Sequence, residues 1–353
     1  KQGMDGENFY PLEAQLSPKM ENPPKESLNT LLGHYQSRRY NDAEKLAVSL
    51  TKEFPSHQFS WKVLGAVLKQ QGRIIEALEP ARKSVQLAPK DADAHFNLGN
   101  TFKDLMRFEE AKPNYKQAIA LNPDFAEAHN NLGVTLREQR KFEEAEISHR
   151  KALAIKPGYA AAHFNLGNIF RELGRLDEAE GSYIQAIINE PDYAKAHLNL
   201  GNTLKELERL DDAEASYKQV LAIQGDYVEA HYNLANTLTE LGKLDEATVH
   251  YEKAIALKPD YCEAHNNLGI ALKQLGRPID SVASFTHAIS INPDYVEAYN
   301  NLGAVLRGLG KLSDAAENFE RAIVLNPQSA EAYNNLGSTL QGLGRLVEAE
   351  ANY

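Results

Sequence analysis

Cysteine, long apolar runs and an excess of basic charge are scarce or missing in this sequence. The single cysteine, Cys262, excludes an internal disulfide framework. No apolar run approaches the length of a membrane span, and the N-terminus lacks the apolar core of a signal peptide. We therefore expect no membrane contact and a cytoplasmic location. The formal net charge of -11, with Lys and Arg scattered along the chain, disfavours nucleic acid as a partner.

The residue sets that carry catalysis are missing too. The sequence has no nucleophile–base pair, no Gly-rich phosphate loop and no cluster with the spacing of metal ligands. We therefore expect no enzymatic activity, no cofactor and no metal. A regular column of histidines exchanges with Trp61 earlier and with Tyr299 and Tyr333 later, which indicates semi-buried packing. The rungs of this column also lie too far apart to share a metal at bonds of ~2 Å. The column consists of His95, His129, His163, His197, His231 and His265.

What the sequence has in abundance is repetition. The 34-residue stretch from Ala126 to Tyr159 returns almost unchanged from Ala160 onward, and the same frame recurs in both directions. A fixed period of this length is typical of a solenoid, in which each unit packs only on its neighbours. The repeats start at residues 24, 58, 92, 126, 160, 194, 228, 262 and 296, and a partial repeat starts at residue 330. Residues 1–23 are rich in proline and poor in periodic apolar content, which predicts a flexible leader.

The repeat resembles the tetratricopeptide repeat (TPR) family over residues 24–353. In the repeat at residues 160–193, the residues that follow the order of the family signature are Leu166, Gly167, Phe170, Ala179, Tyr183, Ala186 and Pro191. The resemblance implies an all-α fold, namely a right-handed superhelical α-solenoid of 34-residue helix-turn-helix repeats. It also implies that the first helix of each repeat, helix A, lines the concave wall, with helix B following it.

Local signals mark the ends of these helices. Asp226, three residues before Glu229, predicts a capping box at the start of a helix A. The same pattern recurs at Asp124, Asp260 and Asp294. The turn between helices A and B usually carries a glycine such as Gly174, which predicts a left-handed residue there. The residues that replace this glycine are Met106, Arg140 and Glu208. We expect slight backbone strain at these three positions.

The most regular polar feature is an asparagine at the sixth position of eight consecutive repeats. A polar side chain in the middle of a helix is unfavourable by propensity, so packing does not demand it. An Asn amide can pair with both the N–H and the C=O of a peptide main chain. Because packed helices lie ~8–10 Å apart and an extended peptide advances ~3.3–3.6 Å per residue, one Asn could serve about every third peptide residue. The predicted peptide-binding residues, the ladder asparagines, are Asn97, Asn131, Asn165, Asn199, Asn233, Asn267, Asn301 and Asn335.

Two alternative origins of this column stay open. Each Asn could bond within the helical wall and stiffen the array, or recent duplication could have kept Asn without selection for binding. A second run of asparagines, at the ninth position, alternates with apolar residues and is a weaker candidate that could widen the polar floor. It consists of Asn100, Asn168, Asn202 and Asn236.

An Asn ladder along the inner groove is characteristic of the repeat region of the O-linked N-acetylglucosamine transferases, where it holds substrate polypeptides by their main chain. The present repeats are similar to that region, whereas nothing here resembles the catalytic half of those enzymes. The function expected from the resemblance is a non-enzymatic scaffold that binds extended polypeptide. The alternative is the substrate-recruiting arm of a larger glycosyltransferase or sulfotransferase.

The last repeat stops at Tyr353, within its helix B. Leu336, Leu340 and Leu346 are therefore expected to lack part of their apolar cover. Because exposed apolar surface seeks partners, we expect self-association through this end and a natural chain that continues beyond it.

Overall fold

The computed structural model describes residues 22–353, all of whose regular secondary structure is α-helical. The predicted leader therefore lies outside the described residues, apart from Asn22 and Pro23. The chain divides into two compact units, one ending at Pro157 and the other beginning at Gly158. The helices of the first unit are α1 (Lys25–Gln36), α2 (Tyr40–Glu53), α3 (Gln58–Gln70), α4 (Ile74–Leu87), α5 (Ala92–Asp104), α6 (Phe108–Leu121), α7 (Ala126–Glu138) and α8 (Phe142–Ile155).

The second unit alternates helices of 13 and 14 residues up to its last helix, which has 7 residues. Its helices are α9 (Ala160–Glu172), α10 (Leu176–Asn189), α11 (Ala194–Glu206), α12 (Leu210–Ile223), α13 (Val228–Glu240), α14 (Leu244–Leu257), α15 (Cys262–Gln274), α16 (Pro278–Ile291), α17 (Val296–Gly308), α18 (Leu312–Leu325), α19 (Ala330–Gly342) and α20 (Leu346–Asn352). Odd-numbered helices are helix A of their repeat, and even-numbered helices are helix B.

Within each unit, every helix packs mainly on the helices before and after it in the chain, as the helices of an α-solenoid do. Each helix A also contacts the helix A of the next repeat, as α11 contacts α13 and α13 contacts α15. Consecutive B helices make no such contact within either described unit. Because the A helices lie closer together than the B helices, each stack curves with its A helices on the inner side.

Small residues on helix A let an aromatic ring of helix B pack closely. Tyr217, fully buried, lies against Gly201, where an added Cβ would stand 2.6 Å from the ring. The same core continues through the fully buried Leu234, Leu238 and Ala247. This contact repeats along the chain because the glycine is at the eighth position of helix A and the ring is at the 24th position of the repeat.

The turn that ends helix A has the predicted left-handed backbone. Gly174 and Gly242 have φ of 71° and 73°. Met106, Arg140 and Glu208 have φ of 60°, 57° and 60°, so each holds a side chain where glycine is favoured. The left-handed backbone expected at these three positions is confirmed, and the strain expected there stays a prediction.

The prediction of capping boxes is wrong. Helix α13 begins one residue later than a box at Asp226 requires, so that Tyr227 is the N-cap and no side chain caps the helix. The other three predicted boxes fail in the same way, with Phe125, Tyr261 and Tyr295 as N-caps. Asp91 directly precedes its helix and does cap it, accepting from the backbone N–H groups of Asp93 and Ala94.

The expectation of uncovered leucines near Tyr353 is only partly correct. Leu336 and Leu340 are buried, with 5% and 2% exposure, because they join a core formed by α17, α18 and Ala349 of α20. Leu346 is 64% exposed, as expected. None of the helices between residues 22 and 353 is long and apolar enough to cross a bilayer.

Candidate functional site

The ladder asparagines all lie near the middle of an A helix, on the inner side of their stack, and all are half-buried. Asn97 and Asn131 belong to the first unit. The members in the second unit are Asn165, Asn199, Asn233, Asn267, Asn301 and Asn335. Half-burial places each amide where it can meet both the helical wall and a molecule in the groove.

The donor side of the ladder amide bonds to the preceding repeat. Asn233 Nδ2 donates to Asn202 Oδ1 at 2.9 Å, and the same oxygen accepts from the Tyr217 hydroxyl at 2.8 Å. Asn131 with Asn100, Asn199 with Asn168, and Asn267 with Asn236 form the same bond over 2.8–3.0 Å. The ninth-position asparagines are therefore acceptors within the wall, a role that the sequence did not reveal.

Where the ninth position is apolar, another asparagine takes over as the acceptor. Asn301 Nδ2 donates to Asn266 Oδ1 at 3.1 Å, and Asn335 Nδ2 donates to Asn300 Oδ1 at 3.0 Å. Both acceptors stand at the fifth position, in repeats whose ninth residue is Ile270 or Ala304 and whose 24th residue is phenylalanine. At these rungs too, an asparagine Oδ1 of the preceding repeat accepts from the ladder amide, but from the fifth position instead of the ninth. Wall bonding, the first of the alternatives raised from the sequence, is thus present at these rungs.

The acceptor side of the ladder amide is different. The Oδ1 atoms of Asn199, Asn233, Asn301 and Asn335 accept no hydrogen bond from any residue of the described part of the chain. Within residues 22–353, the buried side-chain nitrogen and oxygen atoms that have no hydrogen-bond partner belong only to His34, Gln139 and His149. These four oxygens are therefore open to solvent, and we call them the open acceptors.

Asn267 differs from these four rungs because all of its amide is engaged. Its Nδ2 donates to Asn236 Oδ1 at 3.0 Å and to the Tyr232 hydroxyl at 3.1 Å, and its Oδ1 accepts from Asn266 Nδ2 at 3.1 Å. Asn131 Oδ1 also accepts, from Asn130 Nδ2 at 3.3 Å. The ladder residues are thus all asparagine, but only some of them have an Oδ1 atom that is free to accept a further hydrogen bond.

The histidine column belongs to the wall, as predicted. His197 Nε2 donates to the carbonyl oxygen of Pro191 at 3.0 Å, and Trp61 Nε1 makes the equivalent bond to Pro55 at 2.9 Å. His95, His129, His231 and His265 make the same contact with the carbonyl six residues earlier. Within residues 22–353, no group of three His, Cys, Asp or Glu side chains is placed to hold a metal ion.

His149 is buried in the first unit at the ring position. Its Nδ1 donates to Asn130 Oδ1 at 3.1 Å, while its Nε2 is sealed without a partner. Burial, with a smaller contribution from the charge of Arg137, lowers the pKa of His149 to about 3. The ring is therefore neutral at physiological pH and serves as core.

Several charged side chains beside the ladder are paired with each other. A base at the twelfth position of one helix A meets an acid at the thirteenth position of the next, over 2.8–2.9 Å. The pairs are Lys69–Asp104, Arg171–Glu206 and Lys205–Glu240. Such partly exposed pairs contribute little to stability. They do compensate charge at these rungs, whereas Lys273 and Arg307, at the twelfth position of α15 and α17, have no carboxylate partner within residues 22–353.

Comparison with known proteins agrees with this architecture. Family models described as tetratricopeptide repeats match residues 31–92, 96–160, 150–197, 164–227, 216–248, 263–295 and 284–317, and one described as TPR repeat matches residues 235–276 and 303–344. No curated protein matches the chain.

Solved structures share the fold at low sequence identity. A tetratricopeptide repeat protein from Parabacteroides merdae is 20% identical, with 70% of this chain and 98% of that one covered and a TM-score of 0.50. PilF from Pseudomonas aeruginosa is 22% identical, with 57% and 92% covered and a TM-score of 0.52. The Cut9–Hcn1 hetero-tetramer of the APC/C is 16% identical, with 87% and 60% covered and a TM-score of 0.51. Repeat length, helix pairing and family models agree, and the chain belongs to the tetratricopeptide repeat family.

Proposed function

We propose that this protein is a non-enzymatic interaction scaffold that binds extended polypeptide along the inner side of its second unit. The observation that carries the proposal is the row of open acceptors on Asn199, Asn233, Asn301 and Asn335. Each oxygen is held in place because the Nδ2 atom of the same amide is bonded to the preceding repeat. A pre-oriented acceptor loses little side-chain entropy on binding, which favours association.

The chemistry of the row favours main-chain recognition. An amide oxygen accepts from a peptide N–H, and a peptide offers one N–H per non-proline residue whatever its side chains are. Charge beside Asn199 and Asn233 is compensated by the pairs Arg171–Glu206 and Lys205–Glu240. Lys273 and Arg307 have no carboxylate partner within residues 22–353 and add positive charge farther along the row. The expected partner is an unstructured protein segment with little constraint on its sequence. The same contact would serve the recruiting arm of a larger glycosyltransferase or sulfotransferase, which stays a prediction.

The test separates the open acceptor from the wall bond. In one variant, Asn199, Asn233, Asn301 and Asn335 are changed to Ala. In the matched control, their wall partners Asn168, Asn202, Asn266 and Asn300 are changed to Ala. Both variants lose the same four wall bonds, but only the first loses the open acceptors. The control also loses the bonds of the Tyr183 and Tyr217 hydroxyls and the bond from Asn266 to Asn267, so urea unfolding must verify that it is folded.

The ligand is an unstructured Gly/Ser-rich peptide long enough to span four repeats, and its affinity is measured by titration calorimetry. A hydrogen bond contributes ~0.5–1.5 kcal/mol, so four lost bonds should weaken binding by about 30-fold or more. The control keeps the four acceptors but loses their orientation, so it should bind more weakly than the parent protein and clearly more tightly than the first variant. Equal weakening of both variants would assign the asparagines to wall stiffening alone and overturn the proposal.

A further inference from the structure

The repeat that begins at Gln58 lacks the aromatic ring that later repeats place between helices A and B. Its ring position is Ala81. In the next repeat, a Cβ added to Gly99 would stand 2.8 Å from the Tyr115 ring, whereas a Cβ on Gly65 would meet nothing closer than 3.5 Å. The corresponding rings in the later repeats are His149, Tyr183, Tyr217, Tyr251, Phe285, Phe319 and Tyr353. A Cβ on Gly65 would be in ordinary contact with the α4 backbone, but no ring of this repeat fills the space beside it that the later rings occupy.

This space forms a cavity of about 170 Å³ in the first unit. Its apolar floor includes Gly65, Ala66 and Ala81, and its rim includes Asn97 and Asn100. A cavity of about 150 Å³ in a protein core is large enough to hold benzene. The vacancy can therefore take one six-membered ring, the group that occupies the same place in the following repeats.

The rim adds a polar requirement. Asn97 and Asn335 both face a preceding repeat with alanine at the ninth position, Ala66 and Ala304. Asn335 donates instead to Asn300 at the fifth position, whereas the fifth residue of the repeat before Asn97 is Lys62. The Asn97 amide makes no hydrogen bond with any other side chain of residues 22–353, and it lines the cavity. In the next repeat, the Tyr115 hydroxyl donates to the Asn100 amide at 2.8 Å. A ring that carries a hydroxyl group matches both the vacant space and the unpaired amide.

The charges at the rim favour a neutral ring over an anion. Lys62 and Lys69 line the cavity, but each is already paired, Lys62 with Asp91 and Lys69 with Asp104, both at 2.9 Å. An anionic ligand would have to compete with these carboxylates. A phenol requires no such exchange.

We propose that this cavity is a binding pocket for the phenol ring of a tyrosine side chain presented by a bound polypeptide. The source of the ring rests on the proposed function, whereas the pocket can be tested without a peptide. The pocket lies in the first unit, so it would add a tyrosine-specific site to a protein whose second unit binds polypeptide with little sequence preference.

The probe is p-cresol, the side-chain analogue of tyrosine, and its binding to the full chain is followed by ligand-observed NMR. Ala81→Phe should fill the pocket with the chain's own ring. The pair Ala304 and Phe319 shows that alanine at the ninth position accepts phenylalanine at the ring position. Blocking the pocket should weaken p-cresol binding at least about tenfold, because the burial of a ring is lost.

Tyr115→Ala is the matched gain-of-site control, since it should open an equivalent space over Gly99. Unfolding curves verify that each variant is folded, and p-cresol-induced shifts of the Ala81 and Ala94 methyl signals in the parent protein locate the ligand without any mutation. Shifts elsewhere, no binding to the parent, equal binding to Ala81→Phe, or tighter binding of benzoate than of p-cresol would each overturn the pocket. Loss of peptide binding in the scaffold test with p-cresol binding intact would instead overturn the proposed function alone.

Discussion

At the scale of single residues, the ladder asparagine divides its amide between two tasks. Its Nδ2 atom binds the preceding repeat, and at four rungs its Oδ1 atom faces solvent. The wall partner is itself shared, because one Oδ1 accepts from both a buried tyrosine and the next ladder residue. Peptide binding and wall stiffening are therefore compatible in one side chain.

This shared acceptor leads to a stability prediction. Asn202→Ala should destabilise the protein by about 1–3 kcal/mol, because it leaves the hydroxyl of the fully buried Tyr217 without its partner. Tyr217→Phe should cost less, and the double variant should cost less than the sum of the two. Urea unfolding measures all three. Strict additivity would show that the hydroxyl does not depend on Asn202.

His149 predicts an acid sensitivity of the first unit. Its native pKa is about 3, whereas an unfolded histidine titrates near 6.5. As the pH falls through 6.5, the histidine of the unfolded chain binds a proton, whereas the native ring stays neutral. The free energy of unfolding therefore decreases by up to about 1.4 kcal/mol per pH unit until the pH approaches 3. His149→Phe should remove this part of the dependence. Urea midpoints at several pH values check it, and parallel curves for both proteins would contradict the assignment.

At the scale of helices and turns, the positive φ at the end of helix A is imposed by the repeat and not by its residue. Met106 and Glu208 adopt φ of 60° in the place where Gly242 has 73°. Tertiary packing fixes the angle between helices A and B, and it therefore holds both residues in this backbone conformation despite its strain.

Exchanging these residues should change stability in opposite directions. Glu208→Gly should stabilise the protein by about 1 kcal/mol, since glycine adopts this φ without strain. Gly242→Ala should destabilise it by a similar amount, and because an added Cβ there meets no atom within 4 Å, the effect isolates backbone strain. Thermal unfolding measures both. Changes of the same sign would contradict a role for backbone strain.

The order of the helices and the left-handed turns could be predicted from the sequence, since the signature residues recur in register. The failure of the capping boxes could not be predicted. An aromatic residue occupies the N-cap of these helices, so the aspartate lies one position before the N-cap. The sequence also did not reveal that the Nδ2 atom of the ladder amide bonds to the wall while its Oδ1 atom stays open. This arrangement depends on pairs 31 or 35 residues apart, such as Asn233 with Asn202 and Asn301 with Asn266. One pattern in the sequence could have indicated these pairs: from residue 92 onward, the repeats that lack asparagine at the ninth position have one at the fifth position.

At the scale of the whole molecule, each stack derives its stability from contacts between neighbouring helices. Removing residues 330–353 should therefore lower the stability of the second unit gradually and leave the helicity per residue nearly unchanged. Circular dichroism and urea unfolding test this, and the denaturant dependence of the unfolding free energy should fall with the area removed. Loss of all cooperative structure would contradict a one-dimensional array.

The central claim is that main-chain N–H groups of a polypeptide donate to the open acceptors. The most direct measurement is a double-mutant cycle that combines the Asn199, Asn233, Asn301 and Asn335 to Ala variant with a Gly/Ser-rich peptide and its fully N-methylated counterpart, which has no internal N–H. We predict that N-methylation weakens binding to the parent protein by about 30-fold or more and hardly changes binding to the variant. An equal effect of N-methylation on both proteins would contradict the claim.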